Sequence, residues 1–166
     1  KAQNRNYAQV NRLNMYYVSY GEISDKQPII LLHVAYATLC LWGDFLTELS
    51  KSRQVVALDF QAHGRTADID RPITYENMAD NVAGLLNHLK LEKVDVFGYS
   101  MGGAVALQLG IRYPQLINKM VVASASYKSE GVYPELTAMI GEMKPEYMEG
   151  TPFKKAYDTL SPNPDN

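Results

Sequence analysis

One short run constrains this chain more than any other part of its sequence: Val-Asp-Val-Phe-Gly-Tyr-Ser-Met-Gly-Gly, at residues 94–103. A serine between a buried strand and a helix takes a strained backbone conformation, and its hydroxyl emerges at the carboxyl end of the strand. The residues two positions away on either side must be small, and Gly98 and Gly102 satisfy this requirement. The run therefore predicts Ser100 as a nucleophile, with the Met101 N–H at the helix N-terminus as an oxyanion donor.

The same glycines fit a plainer interpretation, which stays open at this point. They can allow a helix to pack closely on a strand without any serine chemistry. A phosphate-binding loop is excluded, because the run contains neither the Gly-Lys-Ser/Thr of a Walker loop nor the G-x-G-x-x-G of a dinucleotide fold.

The rest of the chain alternates between short apolar runs and helical patterns. Four runs are nearly continuous and rich in β-branched residues, as in strands buried on both faces: residues 29–32, 55–58, 94–97 and 120–123. Helices are predicted between and after them: residues 42–50, 78–89, 101–112 and 136–143, and one starting at Thr151 and Pro152. Thr74 is a predicted N-cap. In the helix at residues 42–50, Phe45, Leu46 and Leu49 are predicted to face the core. A hairpin around Asn14 precedes these elements. This order predicts an α/β fold, a mostly parallel sheet flanked by helices.

Composition limits the function classes further. The chain has 166 residues, a hydrophobic fraction of 46% and a formal net charge of −2, which fits one folded domain and gives no electrostatic footprint for nucleic acid. No apolar stretch reaches the roughly 20 residues of a membrane-spanning helix. The single cysteine cannot form an internal disulfide, and the histidines lack the spacing of a metal site. We predict no metal, no cofactor, no nucleic-acid partner and no membrane span; the compartment stays open.

Three motifs in this order resemble the α/β-hydrolase fold family, specifically its esterases, lipases and perhydrolases. Besides the serine run, residues 28–33 (Pro-Ile-Ile-Leu-Leu-His) resemble the strand before the oxyanion turn of that family. Residues 59–66 (Asp-Phe-Gln-Ala-His-Gly-Arg-Thr) resemble its D-x-x-G-x-G-x-S loop. The resemblance covers about residues 8–127 and implies the N-terminal part of such a protein. It also implies that the backbone N–H of Ala35 is the second oxyanion donor.

Two glycines expected from the resemblance are replaced. Val34 follows His33 where the family has glycine, and Ala62 replaces the first glycine of the loop at residues 59–66. If either position requires a positive φ, the added Cβ costs about 1–2 kcal/mol. A displaced turn after His33 would misplace an oxyanion donor.

The resemblance also implies a catalytic acid and a histidine late in the chain, after a helical cap. Residues 1–128 are predicted as the core, and residues 129–166 as the start of the cap, so we expect the acid and the histidine to lie on a segment that this truncated chain lacks. Of the histidines present, His33 is nearest to the serine strand, but a local hydrogen bond that holds the turn is favoured for it. His63 and His88 are predicted to be structural or solvated.

Two functions follow. The first is a serine hydrolase of small carboxylic esters, with Ser100 as nucleophile. The second is a catalytically inactive fragment or engineered variant that keeps the fold and acts only by association. The strand at residues 120–123 would then be an open sheet edge, available for a homo-oligomer or for a complementing C-terminal segment.

Overall fold

The computed structural model describes residues 4–164, which build one six-stranded sheet. The strands are Asn4–Val10 (β1), Leu13–Tyr20 (β2), Ile29–Leu32 (β3), Val55–Leu58 (β4), Val94–Tyr99 (β5) and Ile117–Ala123 (β6). Their order in the sheet is β1-β2-β4-β3-β5-β6. The strands β3 to β6 are parallel, whereas β1 and β2 are antiparallel to their neighbours. The predicted α/β fold with a mostly parallel sheet is confirmed.

Within the same residues, the α-helices that accompany the sheet are Gly43–Ser50 (α1), Tyr75–His88 (α2), Met101–Arg112 (α3), Pro134–Gly141 (α4) and Pro152–Leu160 (α5). α3 has its predicted bounds. The two predicted threonine caps are also confirmed, because the Thr74 hydroxyl accepts from Asn77 N and the Thr151 hydroxyl accepts from Lys154 N. A 3₁₀ turn at Leu39–Trp42 leads directly into α1.

The apolar runs are explained by burial on both faces of the sheet. Ile30, Leu31 and all of β4 are fully inaccessible to solvent. On one face the core contains side chains of α2 and α3, and on the other it contains Trp42 and Leu46 around α1. Each fully buried leucine or isoleucine contributes about 1.5–3 kcal/mol relative to an exposed one. This packing fixes the carboxyl ends of β3, β4 and β5 side by side.

Two local predictions were wrong. The hairpin turns at Asn11 and Arg12, with φ values of 48° and 69°, and Asn14 lies inside β2. Two consecutive positive φ values match the twist of a two-residue hairpin, so the turn conformation outweighs the weak turn signal at Asn14. Phe45 was expected to face the core but is 45% exposed, and it stacks at the surface beside Trp42 and Phe97.

β6 forms one edge of the sheet that residues 4–164 build. Val121 in this strand is 53% exposed, whereas Met120 and Val122 pack against the core. Beyond β6, the apolar residues of the predicted amphipathic helix around α4 are all substantially exposed: Leu136, Met139, Ile140 and Met143.

Candidate functional site

Ser100 lies at the sharp turn between β5 and α3. Its backbone has φ 53° and ψ −117°, a region that is strained for a residue with a side chain. The turn is fixed on both sides, because Ser100 N donates to Ala123 O at 2.9 Å and Ser100 O accepts from Gly103 N at 2.8 Å. Met101 is the first residue of the helix, where a backbone N–H has no intrahelical acceptor. The N-terminus of α3 thus lies beside the serine hydroxyl.

The two glycines that flank the turn permit very close backbone contacts. A Cβ on Gly98 would lie 2.3 Å from Gly102 O, and a Cβ on Gly102 would lie 2.0 Å from Leu32 O. Neither space can accept a side chain without a shift of backbone. Gly102 therefore lets the start of α3 rest directly on the end of β3.

The loop that follows β3 leaves the sheet beside Ser100. β3 and β5 are parallel neighbours with Leu32 paired to Gly98, so Ala35 and Ser100 lie beyond the same edge. Val34 does not take a positive φ, so its Cβ adds no strain of this kind, and Tyr36 takes the left-handed conformation instead, at φ 60°. Ala62 does have a positive φ, 59°, so the cost of an added Cβ applies there. Sequence reasoning missed Tyr36, since no turn residue marks that position.

His33 is fully buried at the start of this loop, and both of its ring nitrogens have partners. Nδ1 lies 2.7 Å from Val34 O, and Nε2 accepts from Phe60 N at 3.2 Å. Burial, together with the nearby ring of His63 and against the effect of the Val34 carbonyl, lowers the pKa of His33 to about 3. The neutral ring holds the turn, as the sequence interpretation favoured, and neither nitrogen is free to accept a proton from Ser100.

Asp59 fixes the other end of the same loop. Its fully buried carboxylate accepts from Leu39 N at 2.7 Å and from Arg65 N at 2.9 Å. Burial raises the pKa of Asp59, and these two N–H groups oppose that change. A Cβ on Gly64 would lie 2.3 Å from this carboxylate, which explains the second glycine of the motif. The loop after β3 is therefore attached at both ends to the segment after β4.

The other two histidines also leave Ser100 without a base. His63 Nδ1 lies 2.8 Å from Gln61 O, and burial lowers the pKa of His63. His88 is exposed at the end of α2 and packs its ring edge against Tyr17. Among residues 4–164, no histidine forms a hydrogen bond with Ser100.

A cavity of about 620 Å³ adjoins this region. Its core side is formed by the loops after β3 and β4, including Tyr36 and His63, and its other side is formed by residues 143–157, including Met148 and Phe153. The volume falls within the range of small-molecule sites. Ser100 itself lies outside the lining, and Tyr36, the residue after Ala35, connects the two regions.

The described part of the chain holds neither a metal cluster nor a membrane-spanning helix. Within residues 4–164, no group of three or more His, Cys, Asp or Glu side chains lies close enough together to hold a metal ion. None of the helices found in the same range has the length and apolarity needed to cross a membrane.

Comparison with known proteins assigns the chain to a family. The family model of the alpha/beta hydrolase fold matches residues 27–165. A 2-hydroxy-6-oxo-2,4-heptadienoate hydrolase of Pseudomonas putida is 34% identical over 111 residues, which are 63% of this chain and 39% of the relative. A probable alcohol acetyltransferase of Cyberlindnera fabianii is 29% identical over 125 residues, 74% of this chain and 34% of the relative.

Solved structures of similar fold support the same family. An N-acyl homoserine lactone degrading enzyme superposes with a TM-score of 0.72 and 25% identity, over 92% of this chain and 55% of that protein. A meta-cleavage product hydrolase from Pseudomonas fluorescens gives a TM-score of 0.73 and 25% identity, over 82% and 51%. The chain thus spans between one third and two fifths of these curated relatives and about half of these structures. On the fold and the family match, the chain belongs to the alpha/beta hydrolase fold family.

Proposed function

We propose that this chain carries the nucleophile and the oxyanion site of a serine hydrolase that acts on carboxylic esters. The observation that supports this most is the backbone of Ser100, which has a positive φ and is held by hydrogen bonds to Ala123 of β6 and Gly103 of α3. A residue with a side chain takes this conformation at a cost of about 1–3 kcal/mol, and strain of this kind is typical of functional sites.

In the proposed reaction, Ser100 Oγ attacks the carbonyl carbon of the ester while its proton passes to a general base. The N–H groups of Ala35 and Met101 donate to the resulting oxyanion. Collapse of the tetrahedral intermediate breaks the bond to the alcohol, which leaves with the proton from the base. Water then attacks the acyl-serine by the same route and releases the acid.

In this proposal the general base is a histidine, oriented by an acid, that is not among residues 4–164. His33 and His63 form hydrogen bonds with other groups, and His88 lies at the far end of α2. More than half of the length of each relative lies outside the part that matches this chain. The names of the relatives support acyl chemistry, because they include hydrolases, a lactone degrading enzyme and an acetyltransferase.

Chemical rescue tests this proposal on the chain itself. Hydrolysis of 4-nitrophenyl acetate is followed with increasing imidazole, which replaces the absent base. We expect an enzyme-dependent rate that rises with imidazole, is lost in Ser100→Ala and is unchanged in Ser52→Ala, a matched serine whose hydroxyl only caps Leu49 O. A positioned base contributes about 10²–10⁴-fold, and free imidazole restores part of this. A rate equal in the wild type and Ser100→Ala would contradict the proposal.

The open edge at β6 favours the second candidate, association without catalysis. Within residues 4–164, β6 pairs only with β5, so its outer side can pair with another chain, and Val121 in this strand is half exposed. Sedimentation of the 18.6 kDa chain tests it: a dimer that Val121→Lys dissociates would support this candidate, and a stable monomer would exclude self-association.

A further inference from the structure

The cavity beside the loop after β3 has an apolar wall and little net charge. Ile73 and Phe153 both line it and are about half exposed, because they face this space. Lys144 and Glu149 at the wall carry opposite charges. A third charged residue in the lining, Lys154, is already paired with an aspartate one helical turn further along α5. A neutral, largely apolar ligand is therefore the best match.

One polar group in the lining has a defined hydrogen-bonding role. His63 Nδ1 contacts Gln61 O, and a carbonyl oxygen can only accept, so Nδ1 must carry the proton of the neutral ring. Nε2 then presents a lone pair. No donor among residues 4–164 forms a hydrogen bond with this nitrogen. Since burial lowers the pKa of His63, the ring stays neutral at pH 7 and keeps this acceptor.

We infer that this cavity binds an apolar chain that carries a hydroxyl group, with His63 Nε2 accepting the hydroxyl hydrogen. Tyr36 joins the cavity to Ala35, so a substrate whose carbonyl lies at Ser100 can extend one substituent along Tyr36 into it. The ligand site is a property of the cavity alone. Its use by a substrate rests on the proposed function.

The test measures binding without turnover, in the Ser100→Ala protein, with two ligands of matched shape. Hexan-1-ol has a donor hydroxyl, and 1-methoxyhexane has the same alkyl chain and oxygen but no donor. We expect hexan-1-ol to bind about twofold to tenfold more tightly, the range of one neutral hydrogen bond. It should also shift the ¹⁵N resonance of His63 Nε2 toward the hydrogen-bonded position. Equal affinities, no binding, or an unmoved resonance would overturn the inference.

Three variants separate recognition of the hydroxyl group from effects on folding. In His63→Asn the amide nitrogen can replace Nδ1 and keep the bond to Gln61 O, but nothing replaces Nε2, so the preference for the alcohol should vanish. In His63→Gln the side-chain oxygen can take the place of Nε2, so the preference should be retained. Ile73→Ala should weaken both ligands to the same extent. A preference that survives in His63→Asn would contradict the role of Nε2. Because none of these measurements needs catalysis, an inactive Ser100 leaves them interpretable.

Discussion

Replacing Ala62 by glycine should stabilise this protein. Ala62 has φ 59°, where a Cβ costs about 1–2 kcal/mol relative to glycine. The greater freedom of glycine in the unfolded chain offsets about 0.4–1 kcal/mol of that gain. The net increase in the free energy of unfolding is therefore about 0–1.6 kcal/mol, and its central value, about 0.8 kcal/mol, raises Tm by roughly 2–3 °C for a chain of this length.

Urea unfolding of Ala62→Gly, with its midpoint and m-value, measures this change. The matched control is Ala104→Gly in α3, where the same replacement meets helical backbone and should cost about 1 kcal/mol. The two substitutions should therefore change the free energy of unfolding in opposite directions. If Ala62→Gly destabilised the protein as much as Ala104→Gly does, the strain assigned to Ala62 would be refuted.

Three further changes test the site and its supports. Gly102→Ala should cost about 3 kcal/mol, because its Cβ would lie 2.0 Å from a backbone oxygen, whereas Gly141→Ala, with open space around it, should be neutral or slightly stabilising in the same urea assay. The ring of His33 stays neutral in the folded state to about pH 3 but takes a proton in the unfolded state near pH 6.5, so stability should fall as pH drops through this window, by at most about 1.4 kcal/mol per pH unit from this group. NMR titration checks this, and a His33 ring that titrates near pH 6.5 in the folded protein would contradict it. Thr74→Ala should lower the free energy of unfolding by about 1 kcal/mol through loss of the cap of α2, and an unchanged urea midpoint would exclude that role.

The elements that the sequence predicts well are those whose signals are local and agree with burial. The bounds of β3 and β4 follow from short apolar runs, because these strands are buried on both faces of the sheet. The end of α3 at Arg112 follows from Pro114, two residues further on. The serine turn could be predicted equally well, because Gly98 and Gly102 mark two positions at which any Cβ would meet backbone.

The features that were missed depend on contacts between distant segments. Tyr36 rather than Val34 takes the positive φ, because hydrogen bonds fix the loop at both ends. Val34 O is bonded to the ring of His33, and Leu39 N donates to Asp59, which lies on the segment after β4. The sequence of the loop alone does not predict these hydrogen bonds to another segment. The exposure of Phe45 likewise depends on tertiary packing, because its ring contacts Trp42 and Phe97 at the surface and no other segment covers its remaining area within residues 4–164.

The most direct test of Ser100 as a nucleophile is the reaction of the folded chain with a fluorophosphonate, in the presence of imidazole, with the labelled peptide identified by mass spectrometry. We expect one label per chain, on Ser100, and none in Ser100→Ala. A folded protein that stays unlabelled, or labels spread over other serines at similar rates, would show that the turn between β5 and α3 is architecture without a nucleophile.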